Sequence, residues 1–337
     1  WKTLMMRDDE HSMGFKVHIH PRVKHALKEI EKRELHGSTL IVRIALDALG
    51  EVAMTSKAKK PADLFDEVNS CGVLLLRARP TSVLLANGIR FATRRLKDKI
   101  DEGLSVGELK EFSKSQAVEF FKTIEESVRK IGEIGARRLS SGDVVLTHGY
   151  SSSVLSILGK ARKDGKKIKA IVTESRPELE GRLVARQLVR TGVPTTLIID
   201  SAVSHFIREV DKVLVGAEAV AANGAIVNKV GTSTIASVAH ESRVRVFAAA
   251  SVYKFNPETM FGELIEIEER DPNLVVPRSE IKGLRQLDVR NIAFDVTPPE
   301  HIDLIITEIG VVPPQGVIMI LKERRELPIL ATTPLGV

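Results

Sequence analysis

The stretch that decides the fold runs from Asp143 to Thr232. Short apolar runs, Val144 to Thr147, Ile168 to Thr173, Thr195 to Ile199 and Lys212 to Gly216, alternate there with segments of helical spacing. The segments Ser152 to Ala161, Glu178 to Arg190 and Val203 to Arg208 fit the helices between them. Apolar strands separated by helices predict a parallel sheet covered on both faces, wound with right-handed crossovers. The strands end in polar turns: Thr147-His148-Gly149-Tyr150-Ser151, Thr173-Glu174-Ser175-Arg176-Pro177 and Gly216-Ala217-Glu218. In an open parallel sheet those ends face the ligand crevice. Asn223-Gly224, between two short apolar runs, predicts a hairpin. The alternation continues through a helix at Thr234 to Glu241 and strands at Val244 to Ala250 and Leu304 to Thr307.

Upstream, the chain to about Arg138 reads as helical. Val23 to Leu35 has helical spacing and stops before Gly37, and Ser38 is placed to cap Thr39 to Ala53. Pro61 opens a third helix, and Pro80-Thr81 opens one running to Arg95. Ser105 to Leu139 carries one apolar stripe, Ala117, Phe120, Phe121, Ile124, Val128 and Ile131, on a long helix expected to bridge two domains. The expected organisation is a helical domain over 1–138 and a Rossmann-like α/β domain over 139–337.

The 337 residues carry a net charge of +6, with 4% aromatic residues and one cysteine. Cys71 sits in an apolar run and is expected in the core; no intrachain disulfide can form, which favours a reducing cytoplasm. No apolar run reaches the roughly 18 residues of a membrane helix, and Trp1 to Lys16 lacks the apolar core of a signal peptide. Few aromatics weigh against an RNA-stacking protein, and no DNA-binding motif is present. Neither a G-x-G-x-x-G fingerprint nor a P-loop occurs. No metal or cofactor is expected.

Three helix starts carry arginine and small polar residues: Gly37-Ser38-Thr39 with Arg43, Arg77-Ala78-Arg79-Pro80-Thr81, and Ser175-Arg176-Pro177-Glu178. The last fits a capping box, Ser175 with Glu178. Guanidinium and backbone N–H groups bind phosphate well, so the three together suggest an anion pocket. Lys229, after Asn228, can pair with a phosphate or end a strand; His148 can contact a ligand, act as a base or be structural; Asp200 can cap the following helix.

These turns resemble the family of the alpha, beta and delta regulatory subunits of translation initiation factor 2B, which also holds ribose-1,5-bisphosphate and methylthioribose-1-phosphate isomerases. The resemblance covers about His36 to Gly310. Tyr253 to Thr259 and Phe294 to Pro299 are similar to its archaeal branch. It implies a cysteine after the Thr-His pair and an aspartate in the Gly-Ala-Asp turn of the isomerases, where this chain carries Gly149 and Glu218. A small residue before Tyr-Ser, with Gly-Ala-Glu, is the pattern of the regulatory alpha subunit. The expectation is therefore a non-catalytic regulatory homologue that binds a sugar phosphate or nucleoside monophosphate through Gly37, Ser38, Arg43, Arg79, His148, Tyr150, Ser151, Arg176, Glu218, Asn228 and Lys229. The alternative is a ribose-1,5-bisphosphate isomerase with altered proton donors. Partners implied are a second copy of the chain, as a dimer or multiple of dimers, and translation initiation factor 2.

Overall fold

The computed structural model describes residues 19–32 and 37–323. The first layer is helical: α1 Pro21–Lys32, α2 Ser38–Thr55, α3 Pro61–Arg77, α4 Val83–Asp101 and α5 Val106–Ala136. Ser105 and Glu108 close a capping box at the start of α5, satisfying two of its otherwise unpaired backbone donors. The first half of α5 packs on α2, where Phe120 lies buried beside Phe91 and Tyr253. Its last turns press on the next helix so closely that a Cβ on Gly135 would lie 2.5 Å from Ile157.

The alternating part follows in chain order as β1 Val144–Thr147, α6 Ser152–Lys163, β2 Lys169–Thr173, α7 Glu180–Arg190, β3 Thr195–Ile198, α8 Val203–Phe206, β4 Lys212–Gly216, β5 Ala219–Ala221, β6 Ile226–Lys229, α9 Thr232–Glu241, β7 Arg245–Ala249, β8 Phe255–Asn256, β9 Phe294–Thr297, β10 Leu304–Thr307, β11 Gly310–Val312 and α10 Val317–Glu323. The main sheet has the order β11-β10-β7-β4-β1-β2-β3, parallel except at β11. The fold is thus the mixed α/β architecture expected, with a helical N-terminal part and a mainly parallel sheet flanked by helices. Buried Leu146, Val213, Val215 and Ala248 face one layer, while Val145, Ala170, Val172 and Leu214 face the other. That two-sided burial is why these strands read as continuous apolar runs.

Winding reverses between β1 and β4, which are neighbours through Leu146 and Val213. The turns after those two strands therefore flank one crevice, as the topological rule requires. The Asn223-Gly224 hairpin joins β5 to β6. These strands belong to a second sheet, β8-β5-β6-β9, which the sequence pattern did not reveal. β8 and β9 lie on either side of the irregular segment 257–293.

Three local expectations are corrected. Ser38 is the first residue of α2 rather than its cap; Gly37 precedes it with a φ of 91°. The capping box at Ser175 does not form. Ser175 has a φ of 60°, its hydroxyl accepts from Gly149 N, and α7 starts two residues beyond Glu178. Asp200 does not cap the following helix but accepts at 2.7 Å from both Ser175 N and Arg176 N. The expectations for Trp1 to Lys16 and Arg33 to Leu35 lie outside the described residues. Cys71 is buried, and burial pushes its thiol up to about 11. No described helix is long and apolar enough to cross a membrane.

Candidate functional site: a charged pocket at the strand crossover

The pocket at the winding reversal is lined by Gly37, Ser38, Thr39, Ile41, Arg79, Tyr150, Ser151, Ser152, Glu178, Glu180, Ala217, Glu218, Asn228, Lys229, Lys254, Arg270 and Phe294. Its free space is about 80 Å³. The helical layer contributes the α2 start and Arg79; the turns after β1 and β4, the turn after β2 with the start of α7, the end of β6, Lys254 just before β8, Arg270 and Phe294 at the start of β9 contribute the rest.

His148 and Ser175 set the frame. The His148 Nε2 lies 2.8 Å from Val230 O, so this nitrogen is the donor. Its Nδ1, 2.6 Å from Thr173 Oγ1, then accepts from the hydroxyl. Burial lowers the pKa of the ring and keeps it neutral, against the pull of the Val230 carbonyl and Asp200. The ring is 1% exposed and lies behind the pocket, so the sequence-based role as a ligand contact is corrected: His148 ties β1 to the turn after β6. A Cβ on Gly149 (φ 71°) would lie 3.0 Å from Lys229 Cβ. A side chain at 149 would thus reach the ground that Lys229 covers.

Lys229 is 4% exposed. Burial, with the Arg270 and Arg79 guanidiniums alongside, lowers its ammonium to about 7. The Glu178 carboxylate pairs with Lys229 through one oxygen and with Arg270 through the other. Arg79 Nε donates to Glu268 Oε1 at 3.1 Å. Thr81 fixes that glutamate, accepting from Glu268 N at 3.1 Å and donating to Glu266 O at 2.5 Å. Lys254 Nζ donates to Ala217 O at 2.6 Å. Burial lowers its pKa while the Glu218 carboxylate raises it. Glu218 Oε1 is buried with no hydrogen-bond partner among the described residues. A buried carboxylate oxygen left so is costly unless a ligand completes it.

Of the residues named from sequence, Gly37, Ser38, Arg79, Tyr150, Ser151, Glu218, Asn228 and Lys229 line the pocket. Arg43 does not: it pairs with Asp47 and stacks on Phe121, 4.7 Å from the ring centroid. One helical turn past Ser38, it points to α5. Arg176 also turns away. With Ser175 in a left-handed conformation, its guanidinium donates to Val275 O at 3.1 Å and stays exposed. Glu178, Glu180, Lys254 and Arg270 were missed as site residues. Lys254 lies within the Tyr253 to Thr259 motif and could have been found from it. Arg270 lies in irregular chain with no periodic signal.

A parallel sheet whose winding reverses, with a pocket of cations and carboxylates at the crossover, defines the chain as a doubly wound α/β protein. The chain belongs to the Initiation factor 2 subunit family, whose profile matches residues 34–314. It is similar to the ribose 1,5-bisphosphate isomerase of Pyrococcus furiosus, 43% identical over 297 residues, 88% of this chain and 92% of the relative. It is 44% identical to the one of Archaeoglobus fulgidus over 304 residues, 90% and 93% of the two chains. The crystal structure of the Pyrococcus horikoshii translation initiation factor eIF-2B superposes with a TM-score of 0.76 at 31% identity, covering 89% of this chain and 99% of that one.

These relatives overturn the expectation of a non-catalytic regulatory subunit. Six curated relatives, 37–44% identical over 88–92% of the chain, are ribose 1,5-bisphosphate isomerases. Gly149-Tyr150-Ser151 and Gly216-Ala217-Glu218 resemble the regulatory branch in two short turns, whereas the similarity to the isomerases extends over most of the chain.

Proposed function

We propose that this chain is an aldose–ketose isomerase acting on a phosphorylated pentose of the ribose 1,5-bisphosphate kind. The observation that carries the reading is the buried Glu218 carboxylate, with one oxygen unpartnered, in a pocket that also holds Arg79, Lys229, Lys254 and Arg270. The relatives' activity supports it. Isomerisation takes a proton from C2 and delivers one to C1, turns the C2 hydroxyl into a carbonyl and opens the sugar ring at the bond between C1 and the ring oxygen, which takes up the proton the C2 hydroxyl gives up, with no net change of atoms. It asks for a base at carbon, a donor at oxygen and cations for phosphate.

Glu218 is the base in this reading, with the Lys254 side chain facing it. Lys229, whose proton is exchangeable near neutrality, is the donor; it covers the ground next to Gly149 where a thiol would reach. Arg79, Arg270 and the Lys229 ammonium, before it gives its proton to the neighbouring sugar oxygen, hold phosphate, with hydroxyl and amide contacts from Ser38, Tyr150, Ser151 and Asn228. The chemistry is proton transfer alone and calls for no cofactor.

Purified protein supplied with ribose 1,5-bisphosphate, with ribulose 1,5-bisphosphate read by a coupled assay, tests the reading. Turnover is expected, and Glu218→Gln should lower kcat about 100-fold or more. A wild-type chain inert on this substrate, or a Glu218→Gln variant as fast as wild type, refutes it.

The division at 138/139 belongs to the same proposal, as does self-association. Phe261, Leu264, Leu284 and Leu287 are exposed on the 257–293 segment and offer apolar area for a second copy. Light scattering at micromolar concentration should give at least a dimer, and a monomer would exclude it.

A further inference from the structure

Glu178 stands in a place a phosphate would take. It lies on the turn just before α7, and its carboxylate bridges Lys229 and Arg270. The three side chains keep only 5%, 8% and 15% of their exposure for Lys229, Arg270 and Glu178, so the bridge is largely out of water. Arg79 is already matched by Glu268, and Lys254 faces Glu218. Each of the four cations thus has a carboxylate against it. A phosphate brought into the pocket as it stands would find its counter-charges taken and about 80 Å³ of room.

Glu268 and Glu178 differ in how they are held. Glu268 is locked through its own backbone to Thr81. The Glu178 side chain is held only by the two cations, on a turn outside the helix. A carboxylate that spans two cations with its two oxygens presents them the same charge and bite as two oxygens of a phosphate.

We propose that Glu178 is a resident anion in the seat of a substrate phosphate and that binding is an exchange. The incoming phosphate takes Lys229 and Arg270, and the Glu178 carboxylate swings out to solvent, opening the pocket. The inference rests on the reading of this pocket as a phosphopentose site and adds its selectivity. Only a group that outcompetes a tethered carboxylate gains the seat, so dianionic phosphates are admitted and sugars bearing a carboxylate or hydroxyl at that end are refused. Glu178 is a specificity-determining residue here and touches the substrate only by giving way to it.

The test is calorimetric titration of the full chain, wild type and Glu178→Gln, with inorganic phosphate, ribose 5-phosphate and, as the carboxylate arm, ribonate. Glu178→Gln should bind phosphate roughly tenfold tighter or more, and should also take up ribonate, which the wild type rejects. In phosphate-free buffer its Tm should fall below wild type, because two buried cations lose their partner, and added phosphate should restore it. Equal or weaker phosphate binding, or a Tm that phosphate does not restore, overturns the proposal.

Should Glu178→Gln not fold, a phosphate-soaked crystal of the wild type decides. Glu178 turned away from Lys229 and Arg270 supports the exchange, whereas phosphate seated elsewhere with Glu178 in place overturns it. Wild-type turnover of ribose 1,5-bisphosphate with unaltered phosphate affinity in Glu178→Gln sinks the resident anion alone. No turnover and no phosphate binding by either form sinks the isomerase reading as well.

Discussion

Replacing Lys229 by methionine should make the fold more stable and the site dead. An ammonium that ordinarily keeps its proton to about 10.5 keeps it here only to about 7, chiefly because it is buried. At about 1.4 kcal/mol per tenfold, holding it in the folded state costs about 4 kcal/mol at neutral pH. Methionine has similar length and suits the buried site, but it deprives Glu178 of one of two cations. Leaving that carboxylate partly unpaired returns about 1–3 kcal/mol. The net is a stabilisation of about 1–3 kcal/mol, together with a fall in turnover of about 100-fold or more. The pH dependence is diagnostic. Between about 7 and 10.5 the unfolded chain holds a proton at Lys229 that the folded chain has released, so wild-type stability rises with pH across that window. The Lys229→Met variant lacks this contribution. Its advantage, read as the difference in urea midpoint, should be full below pH 7 and shrink toward pH 10. A variant less stable than wild type at pH 7, or an advantage that stays constant to pH 10, refutes the reasoning.

Other substitutions test the frame around the site. Gly181→Ala should cost about 3 kcal/mol or more in chemical denaturation, since its Cβ would lie 1.8 Å from Thr173 O, a backbone atom that cannot step aside. Asp295 accepts from Gly231 N and Ser233 N at the start of α9, and burial raises its carboxyl to about 6. Relative to Asp295→Asn, wild-type stability should therefore fall as pH rises from about 4 to 6 and level off above; a flat difference across that window contradicts the assignment. Arg176→Ala should leave the Kd for a phosphopentose within about twofold while Arg79→Ala weakens it about tenfold or more, because Arg176 points to Val275 O and Arg79 into the pocket. Titration calorimetry on the two variants reads the contrast.

The sheet was legible because its strands are buried on both faces. Val144 to Thr147 and Lys212 to Gly216 are uninterrupted apolar runs whose ends mark the crevice. The second sheet was not, because β5 and β8 are only three and two residues long and offer no period to read. The pocket was legible where a turn holds it: Lys229 follows a hairpin signal, and Glu218 sits in the turn after a strand. It failed where one backbone angle redirects a side chain. The positive φ of Ser175 undoes a capping box that the spacing satisfies and turns Arg176 outward while Glu178 goes in. Glu268 and Arg270 reach the site from irregular chain nearly two hundred residues beyond Arg79, a juxtaposition that only folding makes.

Thr81 and Arg79 fasten the 257–293 segment to the helical layer, and the pocket lies under that clasp. Its cations thus come from both sides of the seam: Arg79 from one, Lys229, Lys254 and Arg270 from the other. Severed at the seam, each half would carry an incomplete set of charges. Grafting the sheet portion onto another scaffold would not transplant the full set of charges, and the gene can be recombined within either portion more safely than between them.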